Sequence, residues 1–171
     1  MRAPGNSSRS TTGVDAPRAD GAGFALKILA AATLIASSGD MAFAADKPVF
    51  KHPFDGAPIE VPLKPGEAET PALKGFKATG VNAYRGNPTA LAEGKALYDH
   101  WCQVCHNSDA SGKMGPPLIG NNFVYPQTST DVGMFAIIYA GASGAMQPFS
   151  HQDLPQDGML KIIAYVRSLG K

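Results

Sequence analysis

Apolar residues recur at helical spacing in three stretches of the second half of the chain. Asn87 and Pro88 open the first stretch, Thr130 opens the second, and the third covers residues 157–169. Asn and Thr are favoured N-caps, and proline is favoured in the first helical turn. The pattern therefore predicts three core helices, the second of which ends at Gly141. Their apolar positions are Leu91, Leu97, Tyr98 and Trp101; Met134, Phe135, Ile137 and Ile138; and Leu160, Ile163, Tyr165, Val166 and Leu169.

A glycine interrupts the first of these helices. Gly94 costs a helix interior about 1 kcal/mol relative to alanine, so its presence there needs a packing reason. We expect it to permit the close approach of the helix predicted over residues 157–169.

Residues 45–86 differ in composition and contain six prolines and five glycines. Prolines at this density exclude a long helix or a central strand. An Asp-Gly pair at residues 55–56 predicts a turn or a small hairpin, and a Thr-Pro pair at residues 70–71 predicts a short helix ending near Gly80. We expect this extension to pack on the helical core, although a surface for docking a partner is the other interpretation. Its apolar residues are Phe50, Phe54, Ile59, Val61, Leu63 and Phe76.

The first 44 residues have the features of an export signal. Positively charged residues precede an apolar run over residues 28–38, and Ala-Phe-Ala at residues 42–44 fits an A-x-A cleavage site. A membrane span needs about 20 apolar residues, roughly twice the length of this run. The sequence therefore predicts a signal peptide over residues 1–44, cleaved near Ala44, and a mature protein without a membrane span.

The net charge of the predicted mature chain argues against one class of partner. The predicted mature chain consists of the extension over residues 45–86 and a helical domain over residues 87–171, and it carries 11 basic and 11 acidic side chains. A neutral chain lacks the basic field that nucleic-acid binding requires, so we expect no nucleic-acid partner.

Two cysteines and a histidine form the most specific motif of the chain. Cys102-Gln103-Val104-Cys105-His106 is a Cys-x-x-Cys-His sequence, the attachment site of a c-type haem. The two thiols add to the vinyl groups on one edge of the porphyrin, and the following imidazole becomes a ligand of the iron. A redox dithiol and half of a zinc site are the alternatives. A zinc site needs further ligands and a dithiol is expected in a βαβ pattern, and the chain offers neither a third cysteine nor that pattern. We therefore predict one covalent haem c, held by Cys102 and Cys105, with His106 as an iron ligand.

A methionine is the expected sixth ligand of an electron-transfer haem, because a thioether stabilises the reduced iron. Met114 follows the histidine ligand closely and lies on the proximal side, and Met134 and Met159 belong in or beside helices. Met146 lies in a non-helical loop between the last two helices, and such a loop can cross the distal face of the haem. We predict Met146 as the ligand, with His151 as the rival.

Two aromatic residues are candidates for polar contact with the haem. Tyr125 and Trp101 each carry one hydrogen-bond donor, which would suit a haem propionate. Packing with the polar tip at the surface is equally compatible with both, so both interpretations stay open.

The surroundings of the haem motif resemble a class I cytochrome c. Gly94 and Tyr98 precede the motif, and Gly-Pro-Pro-Leu follows it at residues 115–118. The resemblance implies an all-α fold with three core helices around one haem, here with an irregular, proline-rich N-terminal extension. It also implies that the carbonyl of Pro116 accepts a hydrogen bond from the outer nitrogen of His106, which orients the imidazole.

Several further segments narrow the resemblance to one subfamily. They are Glu69–Ala72, Thr79–Asn82, Tyr125-Pro126, Thr130–Phe135, Tyr139–Met146 and Met159–Arg167. Together they resemble cytochrome c-L, the electron acceptor of pyrroloquinoline-quinone (PQQ) methanol dehydrogenases in methylotrophic bacteria. The similarity extends over most of residues 48–171.

This resemblance implies a periplasmic electron-transfer protein of methanol oxidation, not an enzyme. Its haem would take single electrons from a PQQ-dependent methanol dehydrogenase and pass them to a smaller cytochrome c. Cytochromes c-L that serve the calcium-type dehydrogenase tend to be acidic, whereas this mature chain is neutral, so a lanthanide-type partner is at least as compatible. The alternatives are a haem subunit of another periplasmic oxidoreductase complex and a haem sensor or enzyme with a labile sixth ligand.

Overall fold

The computed structural model describes residues 46–170 and Gly13, so the predicted signal peptide lies outside the described residues apart from that glycine. Residues 46–170 form five α-helices and two 3₁₀ turns joined by irregular segments, and their only β-pairing is an isolated antiparallel bridge between Lys51 and Pro58. The all-α prediction is therefore confirmed for this part of the chain. The helices are α1 (Pro71–Thr79), α2 (Pro88–Trp101), α3 (Gln103–His106), α4 (Asp131–Ala140) and α5 (Gln156–Leu169), and the 3₁₀ turns are Pro126–Ser129 and Phe149–His151. None of the helices described here is long and apolar enough to cross a membrane.

Three helices begin at the predicted caps. The side chains of Thr70, Asn87 and Thr130 each accept a hydrogen bond from the backbone N–H three residues later, at 3.1, 3.1 and 3.0 Å. Such bonds satisfy backbone donors that the first helical turn leaves free. At the other end of α1, Gly80 adopts a left-handed conformation with φ of 74°, which glycine does at no steric cost.

The helices α2 and α5 cross at Gly94, as predicted. A Cβ atom at this position would overlap the backbone carbonyl of Lys161 and lie 3.2 Å from the Cβ of Tyr165. One turn later, the rings of Tyr98 and Tyr165 pack with their centroids 5.5 Å apart. Gly94 lowers the helix propensity of α2, but it permits a close contact with α5 that places the end of α2 against the core.

The proline-rich extension shares the hydrophobic core of the helices. The rings of Phe50, Phe76 and Phe135 form a triangle with centroid distances of 5.3 to 5.9 Å, and each of the three side chains is buried. Val61 and Leu73 are also buried in this cluster. These residues of the extension therefore pack against the helices.

Two details of the extension differ from expectation. Phe54 is 60% exposed and does not pack on the core, although it is one of the apolar residues of the extension. The Asp55-Gly56 pair forms a turn, with the N–H of Ala57 donating to Asp55 Oδ1 at 3.0 Å, but the pairing does not extend beyond the bridge at Pro58. The bridge has a backbone hydrogen bond on each side of Pro58, from the His52 N–H to the carbonyl of Ala57 at 2.8 Å and from the Ile59 N–H to the carbonyl of Phe50 at 2.9 Å.

A cluster of charged side chains around the buried Asp131 connects the extension to the helices. Asp131, at the first position of α4, accepts hydrogen bonds from Arg85 at 2.6 and 2.8 Å and from Arg167 at 3.0 Å. Burial would raise the pKa of this carboxyl group, but the two guanidinium groups outweigh burial and leave the pKa below its usual value. This cluster joins the extension, the start of α4 and the end of α5.

Candidate haem site

The attachment motif occupies the turn at which α2 becomes α3. The N–H of Cys102 completes α2 by donating to Tyr98 at 2.8 Å, and the carbonyl of Cys102 then accepts from Cys105 and His106 at 3.1 and 2.9 Å. Neither cysteine takes part in a disulfide bond. The short helix therefore places two thiols and an imidazole on consecutive turns of one continuous backbone.

The imidazole of His106 is held in a defined orientation. Its side chain is buried, and its Nδ1 lies 2.9 Å from the carbonyl oxygen of Pro116. Because a carbonyl oxygen only accepts, Nδ1 carries the hydrogen, and in the corresponding neutral tautomer Nε2 has the lone pair. The contact implied by the class I resemblance is thus present, and it leaves Nε2 as the nitrogen that can bind a metal.

Gly115 makes room for this arrangement. A Cβ atom at Gly115 would lie 2.6 Å from Cε1 and 2.9 Å from Nδ1 of His106, closer than side-chain atoms approach one another. The backbone N–H of Gly115 also donates to the carbonyl of Cys105 at 2.8 Å. The Gly-Pro pair therefore packs its backbone flat against the histidine ring, which is a role for Gly115 that the sequence motif did not specify.

The environment of Cys102 suits a thioether better than a thiolate. Burial, with a smaller contribution from the neighbouring Cys105, raises the pKa of the Cys102 thiol to about 12. A thiol with this pKa is uncharged at neutral pH and is a poor thiolate donor for zinc or for disulfide exchange. Within residues 46–170, no cluster of three or more His, Cys, Asp or Glu side chains could hold a metal ion. An uncharged thioether bond to a porphyrin is compatible with the same burial.

Tyr98 and Asn107 fix the end of the attachment turn. The Tyr98 hydroxyl group donates to the carbonyl of Asn107 at 2.7 Å, and Asn107 has a positive φ of 67° with a ψ of 159°. Burial is the main reason that the pKa of the Tyr98 hydroxyl group is raised well above its usual value. The sequence marked Tyr98 as part of the class I pattern, but it gave no signal for its contact with Asn107.

The methionines differ in burial, and Met134 and Met159 lie in the core as expected. Met134 and Met159 are buried in the core at 3% and 0% exposure, and Met114 is 74% exposed. Met146 is half-buried against the core, in the segment of residues 141–155 between α4 and α5. The rival ligand, His151, is exposed in the second 3₁₀ turn. Met146 as the sixth ligand stays a prediction.

Tyr125 and Trp101 have protein partners in the structure. The Tyr125 hydroxyl group donates to Ser143 Oγ at 2.7 Å and accepts from the Ser143 N–H at 3.0 Å. Trp101 is half-buried and meets the ring of Phe149 edge-on, with centroids 5.9 Å apart. The Tyr125 contact ties the segment of residues 141–155 to the loop before α4. Contact of either residue with a haem propionate stays a prediction.

The residues present fit a covalently attached haem. The structure brings together two unpaired thiols, an imidazole with a free Nε2 and a glycine-proline backbone packed on that imidazole. These are the groups that thioether bonds and a proximal ligand require.

Comparison with known proteins places the chain among c-type cytochromes. The family described as cytochrome c oxidase, cbb3-type, subunit III matches residues 89–166. Cytochrome c-L of Methylorubrum extorquens is 41% identical over 122 residues, which make up 71% of this chain and 61% of that protein. The chain thus spans less than two thirds of the length of this curated relative.

Two solved structures are similar in fold and sequence. Cytochrome cL from the marine methylotroph Methylophaga aminisulfidivorans is 34% identical, with a TM-score of 0.67 over 71% of this chain and 81% of that one. Cytochrome cL from Hyphomicrobium denitrificans is 37% identical, with a TM-score of 0.65 over 71% of this chain and 73% of that one. Both structures share the class I cytochrome c-like arrangement of helices predicted from the sequence.

Proposed function

Because this chain belongs to the cytochrome c-L family, we propose that it accepts single electrons from a PQQ-dependent methanol or alcohol dehydrogenase in the periplasm and passes them to a smaller cytochrome c. The chain is an electron-transfer protein with one covalently bound haem c, and not an enzyme. The donor, the acceptor, the compartment and the export by a signal peptide are parts of the proposal.

Four residues would hold the haem on its proximal side. Cys102 and Cys105 would form the two thioether bonds, His106 Nε2 would bind the iron, and Pro116 would keep the ring of His106 in place through Nδ1. When bound, the haem supplies a one-electron couple. The hydrogen bond from Nδ1 to the carbonyl of Pro116 would make the imidazole a better donor to the iron, and Met146 is the second proposed ligand.

The surface beside the attachment turn is open and apolar. Val104, between the two cysteines, is 65% exposed, and Met114, just before Gly115, is 74% exposed. The N–H of Gly115 bonds the carbonyl of Cys105, which holds the Met114 loop against the attachment turn. An exposed apolar surface next to a redox centre supports electron exchange with a partner, because the centre can be approached without unfolding the protein.

The observation that carries the proposal is the attachment turn with its oriented histidine, in a chain whose relatives are cytochromes c-L. The neutral charge of residues 45–171 supports docking by apolar contact and local charges rather than by a strong overall field.

The test mixes the oxidised, haem-loaded protein with a purified PQQ-dependent methanol dehydrogenase and methanol and follows haem reduction by absorbance. Calcium-type and lanthanide-type dehydrogenases are assayed separately, and omission of methanol is the control. We expect reduction that depends on both dehydrogenase and methanol with at least one type. Absence of reduction with both types would contradict the proposed donor, and recovery of the protein only as part of a larger complex would favour the haem-subunit alternative.

A further inference from the structure

The segment of residues 141–155, which carries Met146, is fixed at its start by its own backbone. The N–H of Ala142 donates to the carbonyl of Met146 at 3.0 Å, which closes a turn. Gly141 has a φ of 80°, and a Cβ atom there would lie 2.8 Å from the same carbonyl oxygen. The entry to the segment is therefore a tight turn around the backbone of Met146.

The exit of the segment is held by a residue far away along the chain. Lys64 Nζ, from the proline-rich extension, donates to the carbonyl of Gln152 at 2.7 Å and to the carbonyl of Leu154 at 2.9 Å. These residues lie 88 and 90 positions later in the sequence. One side chain thus bridges two carbonyl oxygens in the stretch that connects Met146 to α5.

The backbone of Lys64 is tied to the start of α5 through Glu67. The backbone N–H of Lys64 donates to Glu67 Oε2 at 2.9 Å, and Glu67 Oε1 accepts from the backbone N–H of Gln156, the first residue of α5. Gln156 Nε2 returns a hydrogen bond to the carbonyl of Pro62 at 2.6 Å. The extension and the start of α5 therefore form one frame, and Lys64 reaches from this frame to the segment.

A lysine side chain is well suited to hold the exit of the segment. The segment contains Pro148 and Pro155, which lack the N–H needed for backbone hydrogen bonds. A lysine Nζ carries three donors, so it can satisfy two carbonyl oxygens at once, and hydrogen bonds from a charged donor are stronger than neutral ones.

From these contacts we infer that Lys64 is a positioning residue for Met146: it holds the backbone of the distal segment so that the thioether stays in reach of the haem iron. The inference rests on the proposed ligation by Met146. Without Lys64, the exit of the segment loses two hydrogen bonds, and the methionine is released from the iron more often.

The test compares Lys64→Met with wild type in the haem-loaded protein. Methionine keeps much of the length of the side chain and removes the donors. We expect a weaker far-red absorption band in the oxidised protein and about tenfold faster binding of carbon monoxide to the reduced protein, the size expected from losing charged hydrogen bonds. Lys64→Arg keeps donors and is expected to lie between Lys64→Met and wild type.

Lys74→Met is the matched control, because Lys74 is an exposed residue of α1 in the same extension and the change in charge is identical. We expect wild-type behaviour from it in both measurements. Equal effects of Lys74→Met and Lys64→Met would overturn the inference, and so would a Lys64→Met protein with a wild-type band and wild-type carbon monoxide binding. Loss of the haem-loaded protein in both Lys64→Met and Lys64→Gln would also overturn it, because Lys64 would then act on folding as a whole.

These readouts separate the inference from the proposed function. Neither measurement uses the dehydrogenase, so an incorrect donor leaves the test unaffected. A wild-type protein without the far-red band would refute the ligation by Met146 and the inference together. A wild-type protein with the band and an unchanged Lys64→Met variant would refute the inference alone.

Discussion

The two sides of the proposed haem site are held by different kinds of contact. On the proximal side, the hydrogen bonds of the attachment turn join residues within about ten positions of each other, such as His106 and Pro116. On the distal side, the segment of residues 141–155 is tied to Tyr125, 18 positions away from Ser143, and to Lys64, 88 positions away from Gln152. A local motif can define the first side by itself, whereas the second exists only when distant parts of the chain have come together.

The largest effect should come from breaking the long-range contacts at Asp131, where α4 begins. Asp131→Asn removes the carboxylate that pairs with Arg85 and Arg167. The side chain of Asp131 is only 6% exposed. Breaking a buried ion pair costs about 3–5 kcal/mol, and the exposure of Arg85 places this variant at the lower end, at about 3 kcal/mol. The measurement is urea unfolding of the haem-loaded protein at neutral pH, with the exposed Asp46→Asn as the control.

The same variant should change the response to acid. The pKa of Asp131 is lower in the folded protein than in the unfolded chain, so its contribution to stability is complete above the unfolded pKa of about 3.9 and disappears as the pH falls through the folded pKa. The stability difference between wild type and Asp131→Asn should therefore shrink below about pH 4. A difference that stays constant down to acid pH would show that the ion cluster is not its origin.

A smaller effect is expected on the proximal side from Gly115→Ala. The added methyl group would displace the ring of His106, because it would lie 2.6 Å from Cε1, and overpacking of this kind costs about 1–3 kcal/mol. Gly75→Ala is the matched control, since Gly75 lies in α1 with no atom within 4 Å of an added Cβ, and it should gain up to about 1 kcal/mol. The measurement is the urea unfolding midpoint of each of the two variants. Equal shifts of the two midpoints in the same direction would contradict the packing role of Gly115.

The contrast between local and long-range contacts also explains which features could be predicted from the sequence. The attachment turn, the contact to Pro116 and the caps at Thr70, Asn87 and Thr130 depend on residues close together in the chain, and all are present. The contact between α2 and α5 at Gly94 was also predictable, because a glycine in a helix interior needs a packing reason.

Other features could not be predicted, because they depend on the path of an irregular segment. Nothing near Lys64 indicates that its side chain reaches Gln152, and nothing near Phe54 indicates that the turn carrying it points to solvent. Apolar character predicts burial only when the backbone path is known, and a proline-rich extension has no regular period to define that path.

The most direct test of the account is the far-red absorption band of the oxidised, haem-loaded protein in Met146→Ala, with the exposed Met114→Ala as the control. We predict that the band is present in wild type and in Met114→Ala and is lost in Met146→Ala, and that carbon monoxide binds the reduced Met146→Ala protein rapidly. A band of wild-type intensity in Met146→Ala would contradict the proposed ligand pair of His106 and Met146.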